Sequence, residues 1–123
     1  MKEIAALAVM AFAGSFVEVA FAQGFQPTRP IEVVVHTGPG GGSDLLARAV
    51  ALMVEKEKLL PVRMQVVNKT GGGAAVAAAY LAEKKGDPNT IGFFTGVWLT
   101  SPLTSAEARV SLKDLTPVVR LVL

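Results

Sequence analysis

At 123 residues the chain holds one small domain or a part of a larger one. It has no cysteine, which excludes a disulfide framework and thiolate metal sites. Its net charge of +2 comes without a dense Lys/Arg patch or interleaved aromatics, which argues against nucleic acid as a partner.

Apolar residues make up 51% of the chain, and its mean hydropathy of +0.47 is raised by the N-terminus. The uncharged run "IAALAVMAFAGSFV", Ile4 to Val17, is too short for a membrane span of roughly 20 apolar residues, and fits the apolar core of a signal peptide. Ala20 and Ala22 supply the small residues of a cleavage site, so residues 1–22 are expected to be removed after Ala22 and the protein exported to the periplasm. That cleavage takes away Lys2, Glu3 and Glu18, leaving 11 basic and 8 acidic residues and a net charge of +3.

Residues 23–30, "QGFQPTRP", read as an extended leader, because two prolines and a glycine oppose regular structure. "IEVVVH", Ile31 to His36, is a β-branched run suited to a buried parallel strand. Four glycines and a proline within Gly38–Gly42 then break it, and Ser43 or Asp44 can cap a helix in which Leu46, Ala49, Val50, Met53 and Val54 recur at three- and four-residue intervals. "EKEK", Glu55 to Lys58, reads as that helix's solvated last turn. After Pro61 the plan repeats: "VRMQVV" (Val62 to Val67) as a strand, "NKTGGG" as a glycine turn, and the alanine-rich "AAVAAAYLAEKK" as a helix. Gly86, Asp87 and Pro88 stop it, and "TIGFFT", Thr90 to Thr95, gives a third strand.

Strand, glycine loop and helix, twice over and followed by another strand, predict an α/β fold with a parallel sheet. The remainder predicts a short helix around Ala106 and a strand in "VVRLVL". A buried-type strand at the last residue points to residues 31–123 as an incomplete lobe of something longer.

Nucleotide motifs fail on inspection. Ser43 stands where a dinucleotide fingerprint starting at Gly38 needs its third glycine, and neither glycine cluster is followed by Lys-Ser or Lys-Thr. Leu45 occupies the position where a serine-hydrolase elbow needs glycine. The lone His36, without a positioned acid, makes no triad, and one histidine with scattered carboxylates makes no metal site. Neither a cofactor nor a metal is therefore expected. "NKT" at Asn68–Thr70 matches a glycosylation sequon, a three-residue pattern that is common by chance.

What survives is anion binding by backbone. A glycine turn entering a helix presents unpaired N–H groups and the positive end of the helix dipole. The chain has two such turns, Gly38 to Asp44 and Asn68 to Ala74, both at the carboxyl ends of strands, the edge where open α/β sheets bind ligands. Each helix terminus contributes on the order of 0.3–2 kcal/mol to an anion, whereas micromolar binding needs about 8 kcal/mol. A second, closing surface is therefore expected.

In their order, "RPIEVVV", "GPGGGSDLLAR", "VVNKTGGGAA", "TIGFFTG" and "LKDLTPVVRLV" resemble the periplasmic solute-binding proteins of the tripartite tricarboxylate transporter system, the Bug family. The resemblance implies a two-lobed, Venus-flytrap binding protein of which this chain supplies the first lobe. It implies capture of a small carboxylated solute (a di- or tricarboxylate or similar organic anion) for delivery to the transporter's membrane subunits, with no catalysis. Carried over, Thr37, Gly38, Pro39, Gly40, Gly41, Gly42 and Ser43 form the first ligand loop, and Thr70, Gly71, Gly72, Gly73 and Ala74 the second. Gly96, Val97 and Trp98 are candidates for a third contact, while Asp44 and Asn68 serve as helix cap and loop support. The sequence departs from the family in "GDPNT" before the third strand and in His36-Thr37, where Pro-Phe is common. Two alternatives stay open: a small exported hydrolase or transferase using the glycine turn as an oxyanion hole, and a nonfunctional fragment.

Overall fold

The computed structural model describes residues 24–106 and 108–121, so the expected signal peptide, residues 1–22, lies outside the described residues. Three strands form one parallel sheet in the order β2-β1-β3: β1 (Ile31–Val35), β2 (Met64–Asn68) and β3 (Thr90–Gly92). The register runs from Ile31↔Met64 to Val35↔Asn68 on one side of β1, and from Glu32↔Thr90 to Val34↔Gly92 on the other. The β-branched run predicted to be a buried strand is thus the middle of the sheet, with Val33, Val34 and Val35 fully buried.

Alternate residues of β1 serve two cores, because successive side chains point to opposite faces of a sheet. Val33 and Val35 pack with Ala47 of helix α1 (Gly42–Lys56), together with Met64, Val66, Ile91 and Phe93. Val34 faces the other way, against Ala77, Ala78 and Leu81 of α2 (Ala75–Glu83) and Trp98 of α3 (Gly96–Thr104). Gly92 leaves room for this second layer, since a Cβ there would lie 2.3 Å from Leu81 Cδ1 and the leucine tip would have to shift. The turn "GDPNT" is tied down by Asp87, whose carboxylate accepts from the Asn89 N–H at 3.0 Å and the Thr90 hydroxyl at 2.7 Å and pairs with Arg29 of the leader.

Several expectations need correction. Neither Ser43 nor Asp44 caps α1. Gly41 is the N-cap and makes no side-chain bond, and Ser43 and Asp44 lie buried inside the first turn. The face of α1 that meets the sheet is one of small residues, Ser43 and Ala47, so Leu46 and Met53 remain 40% and 55% exposed. Among the described residues no helix forms around Ala106, and the third helix comes earlier, at Gly96–Thr104, despite Pro102 within it. Residues 118–121 form no strand: Val118 and Val119 are 86% and 73% exposed, and the run lies outside the three-stranded sheet, so its β-branching has no ladder to join.

Candidate functional site

Each strand ends in a loop that opens a helix, so the starts of all three units lie along the carboxyl edge of the sheet. The first loop, Thr37 to Gly41, turns through Gly40 at φ +82°, a left-handed conformation that glycine adopts without strain. The second passes through four successive left-handed residues, Gly71, Gly72, Gly73 and Ala74, with φ of 125°, 54°, 57° and 81°. The third is the short link from Phe93 to Thr95.

Three contacts stitch these loops in a ring. Between the first and second, the Asn68 side-chain amide donates to the Thr37 carbonyl at 2.8 Å and to Asp44 Oδ1 at 2.9 Å. Between the second and third, the Ser101 hydroxyl donates to the Gly73 carbonyl. Between the first and third, the Trp98 indole N–H donates to His36 Nδ1 at 2.8 Å. The Asn68 amide is consumed by these bonds, which leaves the "NKT" pattern no free acceptor nitrogen.

Asp44 is the anchor of the first loop. Its buried carboxylate accepts from the Gly40 N–H at 2.8 Å, from Arg48 Nε at 3.0 Å to each oxygen, and from Asn68. The Arg48 hydrogen bond first, then those from Gly40 and Asn68, hold its carboxyl well below the usual carboxylate range. Asp44 is thus loop support, with its charge spent inside the protein. Two cations close in sequence to these loops are likewise engaged, Arg48 with Asp44 and Lys69 over the Tyr80 ring at 4.0 Å from the centroid.

Backbone N–H groups without a partner among the described residues are left at all three helix starts. They are those of Gly42 and Ser43, of Gly72 and Gly73, and of Gly96 and Val97. The Gly40 N–H is taken by Asp44, the Gly41 N–H donates to the Gly38 carbonyl at 3.0 Å, and Pro39 has none to give. Among the described residues, Ser43 Oγ is the buried side-chain atom with no hydrogen-bond partner, on a residue only 5% exposed. A buried hydroxyl is rarely left so, and it belongs to the helix turn that carries two of the unpaired N–H groups.

No family model matches the chain. A UPF0065 protein of Bordetella pertussis is 37% identical over 91 residues, covering 74% of this chain and 26% of that protein. The crystal structure of a TctC solute-binding protein from Polaromonas, without ligand, matches with a TM-score of 0.65 at 32% identity, covering 73% of this chain and 30% of that one. The chain belongs to the Bug (TctC) family of solute-binding proteins. It spans about a quarter to a third of the length of these relatives. The solved relative is a solute-binding protein, which gives the hydrolase or transferase alternative no support.

On this Bug-family lobe, the residues singled out from the sequence fall into two groups. Gly42, Ser43, Gly72, Gly73, Gly96 and Val97 carry unpaired N–H groups. Gly38, Thr70, Gly41, Thr37 and Trp98 shape the loops. Gly38 and Thr70 come within van der Waals reach, 4.0 Å from a Cβ placed on the glycine, and the Thr37 hydroxyl accepts the Asp44 N–H at 3.2 Å. Trp98 is 4% exposed with its indole N–H engaged by His36, so it packs and does not present a polar atom. Sequence reasoning missed Arg48, Ser101 and the His36–Trp98 pair.

A Cβ on Gly41 would stand 2.7 Å from Thr37 Cβ and 3.1 Å from the Gly38 carbonyl oxygen. One of those neighbours is backbone, so the loop itself has to move. Gly41→Ala is expected to destabilise the protein by about 1–3 kcal/mol, as overpacking does, read as a lower urea midpoint at constant slope.

Proposed function

We propose that this chain forms a ligand-binding lobe of a periplasmic solute-binding protein. It captures a small carboxylated solute on the backbone amides of its glycine loops, for delivery to the membrane subunits of a tripartite tricarboxylate-type transporter. Export with cleavage after Ala22 belongs to the same reading. The observation that carries it is the pair of N–H groups without a partner, those of Gly42 and Ser43, at the start of a 15-residue helix. A carboxylate there accepts from the N–H groups and gains the helix dipole. The same edge carries two more helix starts with free N–H groups, and Arg48 and Lys69 are engaged by Asp44 and Tyr80, which favours recognition by amides over recognition by charge.

Three helix termini together supply on the order of 1–6 kcal/mol. The lobe alone is therefore expected to bind with a Kd of about 1 mM, which corresponds to about 4 kcal/mol, and a closing lobe supplies the rest. Amide NMR titration with di- and tricarboxylates tests this. Shifts centred on Gly42, Ser43, Gly72 and Gly73 support the reading, and their absence at saturating carboxylate defeats it.

A further inference from the structure

The strand order places the switch point of the sheet between β1 and β3, where the chain leaves β1 first to one side and then crosses to the other. Ligands of open parallel sheets sit at that crevice. His36 closes β1 on one side of it, and Thr95 follows β3 on the other.

His36 is fixed in its protonation pattern by geometry. An indole N–H only donates, so the 2.8 Å bond from Trp98 Nε1 requires Nδ1 to be the bare nitrogen, and the neutral ring then carries its proton on Nε2. Trp98 cannot easily turn away. It is 4% exposed, lies edge-on to His36 with 5.9 Å between ring centroids, and packs on Phe94 at 4.1 Å. Nε2 in turn stands 3.4 Å from the Thr95 hydroxyl, long for a hydrogen bond, so its N–H is barely used. Thr95 is the N-cap of α3 and its side chain makes no capping bond. The pair therefore offers one under-used donor and one hydroxyl able to accept, beside the free N–H groups of Gly96 and Val97. A solute hydroxyl needs both a donor and an acceptor.

We infer that His36 and Thr95 form a hydroxyl-reading subsite, in which the Nε2–H donates to and the Thr95 oxygen accepts from a hydroxyl carried by the carboxylated solute. The subsite rests on the reading of the glycine loops as the carboxylate site. It makes a hydroxycarboxylate the preferred ligand class, and it makes Trp98 a positioning residue that sets the tautomer.

Malate and succinate differ by one hydroxyl and are the probes. The chain has a single histidine, so its imidazole 15N signals are unambiguous. The full chain is expected to show the Nε2–H tautomer before ligand is added, and to bind malate about fivefold more tightly than succinate, as one neutral hydrogen bond allows. Malate should also shift the Nε2 signal. In His36→Asn, which keeps an acceptor for the indole and lacks the Nε2–H, the malate-to-succinate ratio falls to about one. Trp98→Phe mixes the tautomers and lowers the same ratio. An Nδ1–H tautomer in the unliganded chain overturns the inference without any variant. Equal affinity for the two acids overturns it while the amide reading stands, whereas binding of neither acid overturns both.

Discussion

Replacing Asp44 by alanine should lower the melting temperature by roughly 5–10 °C, the equivalent of losing a hydrogen-bonded anchor in a domain of this size. The Gly40 N–H, the Arg48 guanidinium and one bond of the Asn68 amide all lose their acceptor at once. The Asp44 side chain is 2% exposed, so water does not readily take its place. The effect also has a pH signature. Asp44 titrates in the folded protein below its unfolded value of about 3.9. A depressed folded pKa contributes stability that is fully present above the unfolded value and lost as the pH falls through and below it. The wild-type melting temperature should therefore drop as the solution is taken below about pH 5. In Asp44→Asn, which cannot titrate, that acid slope should be shallower. Asp87 and Asp114 are depressed too, by hydrogen bonds from Asn89 and Ser111 first, and keep the slope from vanishing. Thermal unfolding between acid and neutral pH measures both claims, and an unchanged slope in the asparagine variant counts against the anchor.

What sequence pattern reveals of this molecule, and what it conceals, follows from how far each feature reaches along the chain. "IEVVV" is visible as a central strand because its β-branching and lack of charge are local, and the glycine clusters mark the strand-to-helix turns for the same reason. Helix α3 is the opposite case. "GVWLTSPLT" contains Pro102 and two threonines, poor helix formers, and it is helical because Trp98 packs on Val34 and Ser101 reaches back to Gly73. Tertiary burial overrides propensity there, and nothing near residue 100 announces the partners. Conversely, "VVRL" has strand propensity but joins no strand of the sheet, and stays irregular over 118–121.

The site divides along the same line. Asp44 and Arg48 are four apart on a helix and could be paired from sequence spacing. Asn68, 24 residues beyond Asp44, could not, and neither could Trp98, 62 residues beyond His36. The glycines identify the loops, but which N–H groups remain free depends on these distant side chains. Gly40, in the middle of the motif, has its N–H consumed by Asp44, while Gly42 at its end does not.

That asymmetry yields the most discriminating binding result. Gly42→Pro should leave the fold within about 0.5 kcal/mol of wild type while weakening carboxylate binding about ten- to a hundredfold, the range for hydrogen bonds to a charged group. Gly42 is the first residue of α1, the position at which proline is tolerated because its N–H has no helical partner to lose. Gly41, at φ −73° and ψ 160°, already has the extended conformation required before a proline, and a Cβ at Gly42 meets no atom within 4 Å. The substitution removes one N–H and little else. Gly42→Ala is the control, since it adds a Cβ and keeps the N–H, and its affinity should stay within about twofold of wild type, the scale of a surface change. If the solute were held by side chains, proline and alanine would behave alike. If it is held by the backbone at the start of α1, the proline variant alone loses affinity, and its melting curve shows that the loop is still there.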